Sequence, residues 1–565
     1  MSSATLHRLP LAGVLRLGRP SDIWFKPALS VVAAVAPPNL TLLALGRLDL
    51  AMYTMAGSLC ALYGHHRPYA ARARVLAWVV LGMVGGLAVS LLAASLTGDA
   101  VVLVTVGAVM AAVQKTVCDA TRLGPPAHVV LTFISSASLF APQTLGQVPG
   151  HIGLALAAGA WAWLVGMAPG LLRPYGPERR ATAQALNSAA AYADTRGTAD
   201  GHARARAASA AAIHAAWQSL LAPGARPDRT RRALERLLVR AEVALAAPAD
   251  TDPARLRAWA RKLRGTGRIP RVESPCESAG ELLGVETELA QPRRPLRHRL
   301  APLAPIAART AIGCALAGYA SLALGVGRPY WALVTAASLY QANVTLTWSR
   351  GIQRVVGNVV GVLLFAALAP LAHLHPAVLV LCCLALNFGA EALIGRNYWL
   401  GSVCVTPMAL LVTEFAHAQN PAELITERVA DTLVGALVGF GAAVAVTNRR
   451  AGDRLEHALT MAERARESAA RLLAEPHPAP RALESARRAL AAALADLRAT
   501  ADAASGEWWQ RALPEERVVL AEQTGHRTLA ATVRRQGFVP QNYDDQVQDQ
   551  DRGHDPGRTT EGIRP

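Results

Sequence analysis

The spacing of its apolar stretches constrains this chain most: there are twelve, in two sets of six, with a charged block between the sets. A helix that crosses a bilayer needs about 20 mostly apolar residues, with a range of about 17–25. The first set falls near 28–46, 48–64, 75–97, 99–117, 126–142 and 149–172. The second falls near 306–326, 329–346, 351–371, 375–394, 397–417 and 426–447. Stretches 48–64, 126–142 and 329–346 are short or carry polar groups, so a re-entrant pair would lower the count of spans. Apolar residues make up 52% of the 565 and charged residues 17%. That balance excludes disordered and fibrous classes and puts part of the chain in lipid. The expected fold is an all-α polytopic membrane protein of two parallel six-helix transmembrane repeats, each followed by a cytoplasmic helical region.

Loop charges orient the spans, because cytoplasmic loops hold the excess of Arg and Lys. Arg8, Arg16, Arg19 and Lys26 precede the first span, Arg67, Arg72 and Arg74 follow the second, Lys115 and Arg122 flank the fourth-to-fifth connection, and Arg173, Arg179 and Arg180 follow the sixth. In the second set the same side carries Arg293 to Arg309, Arg350 and Arg354, Arg396, and Arg449 and Arg450. The opposite loops hold Arg47 with Asp49, Asp99, Arg328, the His373–His375 turn, and Glu414, Glu423 and Glu427. Both termini and the middle block are therefore expected in the cytoplasm of a bacterial cell, around a multi-pass inner-membrane protein. Arg16 and Arg19 stand where a signal peptide would be apolar, so the N-terminus is expected to be retained. Six is even, so the two halves share an orientation. Faint symmetry accompanies this: the run from Arg47 to Gly57 can be laid on Arg328 to Ser338, and Gly82-x-x-x-Gly86 answers Gly357-x-x-x-Gly361.

The layout is then a cytoplasmic segment 1–27, a first six-span half 28–172, a cytoplasmic helical domain 173–304, a second half 305–447, a cytoplasmic helical tail 448–537, and a disordered end 538–565 with almost no apolar content. The net charge of +17 is unevenly spread. Residues 173–304 hold 23 Arg and Lys against 13 Asp and Glu, with apolar positions at helical spacing and proline breaks at Pro223–Pro227 and Pro248–Pro253. Aromatic interleaving is absent, so anionic lipid headgroups, not nucleic acid, are the expected partner of the exposed arginines. The seven cysteines form no CxxC or Cys/His spacing, and neither a disulfide framework nor a metal site is expected; no cofactor is called for.

The sharpest stretch runs from Arg328 to Gly361. Tyr330 and Trp331 open a short helix, and Arg350 and Arg354 follow four apart, on one helical face. Gly357 and Gly361 continue that face and let another helix approach closely. An arginine at the bilayer centre costs about 2.5–3.5 kcal/mol on insertion scales, so one inside a bundle faces a cavity; at a helix end it instead snorkels to the interface. Arg428 and Asp431, three apart with Gly435 and Gly439 beyond, form a coupling or structural ion pair. Asn397, Tyr398 and Trp399 sit at the turn between the tenth and eleventh spans, and Thr406-Pro407 frees backbone carbonyls in the eleventh. Tyr330 and Trp331 read either as a platform for an aromatic ring or, with more weight, as interface-belt aromatics.

These residues carry a resemblance. Tyr330-Trp331-Ala332, Arg350, Arg354-x-x-Gly357-x-x-x-Gly361, Asn397-Tyr398, Thr406-Pro407 and Arg428-x-x-Asp431-Thr432-x-x-Gly435-x-x-x-Gly439 are similar to the FUSC family of fusaric acid resistance proteins and aromatic acid exporters. It is distantly similar to plant aluminium-activated malate channels, whose six-span units pair around an arginine-lined anion path. The match covers roughly 306–447, and the first half resembles it only in layout. The resemblance implies efflux of organic, often aromatic, acids. The first half departs from the pattern: it has no Tyr-Trp corner and no Arg-x-x-Asp, and its basic candidates are Arg72, Arg74, Lys115 and Arg122.

The residues themselves point to an anionic cargo, since arginines bind carboxylates bidentately whereas acidic rings mark cation paths. There is no P-loop, HExxH, acidic metal pair or GxSxG elbow, so an enzyme is not expected. The reading is a membrane exporter of small organic anions through an arginine-containing path at the repeat interface, with proton coupling an option and with one chain or a homodimer left open. The competing reading is a membrane scaffold whose cytoplasmic helices recruit partners without transport.

Overall fold

The computed structural model describes residues 9, 11–18, 24–121, 123–195, 199–220, 228–246, 248–265, 267–270, 300, 303–341, 343–415, 419–446, 451–505 and 514–535. The disordered end expected at 538–565, the 271–299 stretch, and Arg8, Arg19, Arg122, Arg293, Arg449 and Arg450 lie outside them. Among the described residues every regular element is helical. The first set forms α1 (Phe25–Ala44), α2 (Ala51–Ser58, extended by single 3-10 turns on both sides), α3 (Tyr69–Leu96), α4 (Ala100–Ala120), α5 (Val129–Leu139), and α6 (Val148–Met167) continued by α7 (Pro169–Leu172). Between the sets lie α8 (Gly176–Ala193), α9 (Ala199–Leu220), α10 (Arg229–Ala246) and α11 (Pro253–Arg264). The second set forms α12 (Ala304–Ala323), α13 (Pro329–Leu339), α14 (Val344–Ala372), α15 (Pro376–Ile394), α16 (Tyr398–Thr413) and α17 (Pro421–Ala445). The tail forms α18 (Ala451–Ala474), α19 (Pro480–Ser505) and α20 (Glu515–Arg535).

The expectation of twelve spans needs correction. Every apolar stretch is helical, but eight helices are long and apolar enough to cross a membrane: α1, α3, α4, α6 with α7, α12, α14, α15 and α17. The second and fifth helix of each set are short. The eleven residues of α13 rise about 16 Å, roughly half of a hydrocarbon core of about 30 Å. Burial explains how such helices persist at membrane depth. All eleven residues of α13 are buried, and so are seven of the eight in α2. A helix that is apolar all round and enclosed by protein needs no lipid-facing length.

The pairings within one set recur in the other. In the second, α14 packs on α16 and α17, α13 on α12 and α17, and α15 on α16. In the first, α3 packs on α5 and α6, α2 on α1 and α6, and α4 on α5. Across the sets, α12 meets α4 where α1 meets α15, and α13 meets α5 where α2 meets α16. The long helices turn Trp78, Leu81, Leu363, Leu381 and Leu437 outward, as a lipid-facing shell requires.

Outside the membrane helices, α8–α11 share a core that includes Leu186, Trp217, Leu234, Leu238 and Leu256. Helices α18–α20 share another, with Leu455, Leu490, Leu497 and Val518. Buried charge joins the two. Arg487 on α19 pairs with Glu242 on α10, and Glu242 also accepts from Trp217 Nε1 at 2.6 Å.

Candidate functional site

The second set encloses a polar layer in an apolar bundle. The chain builds it by close helix approach. A Cβ on Gly357 would lie 2.5 Å from Ser402 Cβ, and one on Gly361 would lie 2.7 Å from Thr406 Cβ, so α14 and α16 meet at van der Waals distance only with glycine there. On the other flank, a Cβ on Gly435 would lie 2.8 Å from Thr335 Cβ, and one on Gly439 would lie 3.0 Å from Ala336 Cα, which seats α17 against α13. In the first set Gly86 plays this part against Ser135 of α5, whereas Gly82 faces open space.

Between these contacts, two arginines project inward from opposite helices. Arg428 of α17 lies with its guanidinium carbon 3.6 Å from the centre of the Trp331 ring and donates to Asn358 Oδ1 at 3.3 Å. Arg354 of α14 donates to the Tyr398 hydroxyl at 3.1 Å. One turn before it, Arg350 lies 3.9 Å over the Tyr398 ring. Asn358 Oδ1 also accepts from the Thr406 hydroxyl, which ties α14, α16 and α17 together. Arg354 and Arg428 are 4% and 2% exposed, and neither enters an ion pair among the described residues. Buried cations are normally paired with a carboxylate, and these two are not. Buried atoms around them without a hydrogen-bond partner in the protein include Arg354 Nε, Arg428 Nε, Asn358 Nδ2, Trp331 Nε1, Ser402 Oγ, Thr335 Oγ1 and Asp431 Oδ2. Such atoms are rare in native interiors and mark places where water or a ligand completes the bonding.

Several expectations change at this point. Arg428 and Asp431 do not join as a pair: Asp431 is turned to Ser321 of α12, whose hydroxyl donates to Oδ1 at 2.5 Å, while Arg428 faces α13 and α14. Arg354 does not snorkel, since it is enclosed. Tyr330 and Trp331 are not belt residues either. They are 7% and 2% exposed, and Tyr330 stacks on Phe140 with centroids 5.7 Å apart, because α13 has no lipid face at all. Asn397 is turned to the chain's N-terminal segment: it donates to Val14 O at 3.1 Å and Arg16 O at 3.0 Å while capping α16. Gln353 donates to Val14 O at 2.9 Å, and Trp399 Nε1 donates to Leu15 O at 3.2 Å. Residues 14–18 thus strap the end of the bundle that holds Arg350 and Tyr398.

The corresponding layer of the first set is neutral. Thr132 donates to Gln114 Oε1 at 2.9 Å, and Gln114 Nε2 donates to Ser135 at 2.9 Å. The basic residues there are engaged otherwise: Lys115 with Asp119 at 2.8 Å, and Arg72 with Tyr63 O at 3.3 Å. Sequence reasoning missed Asn358, Ser321 and Thr335. The available signal was a polar residue standing beside a packing glycine in Gly357-Asn358, and hydroxyls inside apolar runs.

Eight membrane-length helices around an enclosed polar layer, with a helical unit beneath, define an all-α, multi-pass membrane protein. Residues 314–442 match the family described as fusaric acid resistance protein-like, and that stretch contains every residue of the layer just described. A 139-residue stretch is 33% identical to a Bacillus subtilis (strain 168) protein titled uncharacterized membrane protein YvaC, covering 24% of this chain and 22% of that one. The chain thus spans about a fifth of that relative's length. No solved structure matches the chain.

Proposed function

We propose that the protein is an exporter of small organic anions, aromatic carboxylic acids foremost, and that the anion passes the layer between Arg354 and Arg428. The observation that carries this reading is the pair of enclosed guanidiniums without a carboxylate partner, each set against an aromatic or phenolic side chain, Trp331 or Tyr398. A carboxylate completes the bonding of the free guanidinium N–H groups, and Trp331 and Tyr398 add apolar and π surface for an aromatic ring. The family match over 314–442 supports the same class. Asp431, with one carboxylate oxygen unpartnered and reached from Ser321, is the group assigned to proton coupling. The distribution of positive loops supports a plasma-membrane protein with both termini and the helical unit on the cytoplasmic side. The matching helix pairings support a parallel repeat, with the charged layer in one half only.

The test is flux in proteoliposomes loaded with a panel of aromatic and aliphatic acids, comparing wild type with Arg354→Gln and Arg428→Gln at equal incorporated protein. Each variant is expected to lose tenfold or more. Undiminished flux in both would remove the arginine path from the mechanism.

A further inference from the structure

A cavity of about 2530 Å³ separates the membrane helices of the first set from α8–α10 and α19. Its two ends differ in how charge is matched. At the end far from the membrane helices, Arg487 and Arg488 both pair with Glu484, and Arg206 and Arg498 each lie 3.7 Å from Glu522. At the membrane end, Lys26 of α1, Arg173 beside α7 and Arg180 of α8 line the same wall, and none of the three enters an ion pair among the described residues. The groups feel one another. His66 is held below its ordinary value by burial, then by Arg180 and Arg72, and Arg179 is lowered by burial and by Arg173. Glu178, the carboxyl that acts on Arg180, is buried and pushed up to about 7, so at neutral pH it carries only part of a negative charge against these three cations. Gly176 borders the same wall: a Cβ there would sit at ordinary contact distance, 3.6 Å from both Arg173 Cβ and Arg180 Nη2, and 4.0 Å from the Tyr69 hydroxyl.

Three unpaired cations on one concave wall suit a group that carries more than one negative charge, since a monocarboxylate neutralises only one of them. We propose that the membrane end of this cavity binds a phosphate-bearing polyanion, held by Lys26, Arg173 and Arg180. The site is separate from the layer at Arg354 and Arg428 and does not depend on the export reading. Its level at the ends of α1, α3 and α7 admits two sources of the same chemistry, the phosphodiester headgroup of an anionic lipid and a soluble polyphosphate.

The experiment uses the full chain in nanodiscs of phosphatidylcholine, titrated with inorganic pyrophosphate by calorimetry, and the same chain in discs that contain phosphatidylglycerol, with retained lipid read by native mass spectrometry. Arg173→Gln and Arg180→Gln are each expected to weaken pyrophosphate binding or phosphatidylglycerol retention at least tenfold. Gly176→Asp should do the same with both arginines in place, because it sets a carboxylate beside them, in a helical first turn that tolerates negative charge. Arg255→Gln, which removes a cation stacked on Trp259 outside the cavity wall, should change neither. Pyrophosphate binding that persists in phosphatidylglycerol discs assigns the site to a soluble anion; retention of the lipid with loss of pyrophosphate binding assigns it to the headgroup. Binding of neither probe, binding unaltered in Arg180→Gln and Gly176→Asp, or benzoate binding as tight as pyrophosphate overturns the proposal.

Discussion

Arg428 lies 3.6 Å over the ring of Trp331, and both side chains are at most 2% exposed. A desolvated cation–π contact is worth about 2 kcal/mol or more, and here it substitutes for the carboxylate that a buried arginine ordinarily recruits. Arg428→Lys keeps the charge but loses the planar stack and the reach to Asn358. The expected outcome is a folded protein with flux down at least tenfold. Trp331→Ala also opens a large void and should cost about 3–5 kcal/mol, visible as a lower melting temperature in detergent. Lysine behaving as wild type in flux would show that only charge matters at 428.

Tyr398 serves two arginines by different parts of one side chain: its ring faces Arg350 and its hydroxyl accepts from Arg354. Tyr398→Phe separates these roles. It keeps the stacking surface and strands one more donor of Arg354, so thermal stability should fall by only about 1–3 kcal/mol. If Arg354 must be held in place, the Michaelis constant for the transported acid rises in Tyr398→Phe more than in Arg350→Gln. The measurement is concentration-dependent flux for the two variants side by side.

Glycine substitutions should sort by position, not by residue type. Gly357→Ala places a methyl 2.5 Å from Ser402 Cβ and 2.7 Å from the Trp399 carbonyl oxygen, so α14 must move off α16. Overpacking of this kind typically costs about 1–3 kcal/mol. Gly82→Ala meets nothing within 4 Å and replaces a poor helix former with the best one. The first variant should melt lower than wild type and the second no lower, in the same detergent.

Much of this arrangement was legible, for reasons that particular residues show. The spacing of Arg350, Arg354, Gly357 and Gly361 fixes them on one helix face whatever surrounds them. What faces them is a matter of tertiary packing, of which the sequence carries only weak signs, such as Asn358 beside Gly357 and hydroxyls inside apolar runs. Asn397 and Tyr398 are neighbours in the chain, yet the first caps α16 and holds the N-terminal strap while the second enters the charged layer. The length of α16 was hidden because Phe415 and Ala416 follow a single charge, Glu414, past Thr413, where the helix ends. The Arg487–Glu242 bond joins parts of the chain about 245 residues apart, so neither the middle block nor the tail reveals it alone.

The strap itself yields a prediction. Three side chains of α14 and the α15–α16 region, Gln353, Asn397 and Trp399, hold the carbonyls of Val14, Leu15 and Arg16, and Gly18 N donates to Arg396 O at 2.8 Å. The bonds go to backbone carbonyls, so changes at the exposed Leu15 and Leu17 should be tolerated while loss of the donors is not. Asn397→Ala removes two of these bonds and the α16 cap together. Limited trypsin digestion at Arg16 should then proceed several-fold faster than in wild type. A double change, Leu15→Ser with Leu17→Ser, should leave the rate within twofold. Equal cleavage of Asn397→Ala and wild type would show that the segment is held by other means.

Glu178 gives the helical unit a pH dependence whose sign follows from its burial. Its carboxyl is pushed up to about 7, by burial first, against an ordinary value of 4.5. Below pH 4.5 both folded and unfolded chains carry the proton, and the residue adds no pH dependence. Between 4.5 and 7 the unfolded chain releases the proton while the folded one retains it, so stability falls as pH rises; above 7 the penalty is constant. The full penalty is on the order of 3 kcal/mol for a carboxyl this enclosed. Glu178→Gln has no proton to lose. Its melting temperature relative to wild type should therefore climb between pH 4.5 and 7 and level off on either side, followed by tryptophan fluorescence of the full chain in detergent. Because His526 and His65 are lowered by burial and titrate in both proteins alike, their contribution cancels in the difference. A difference that stays flat from pH 4.5 to 8 would place the Glu178 carboxyl in solvent rather than in the core of α8.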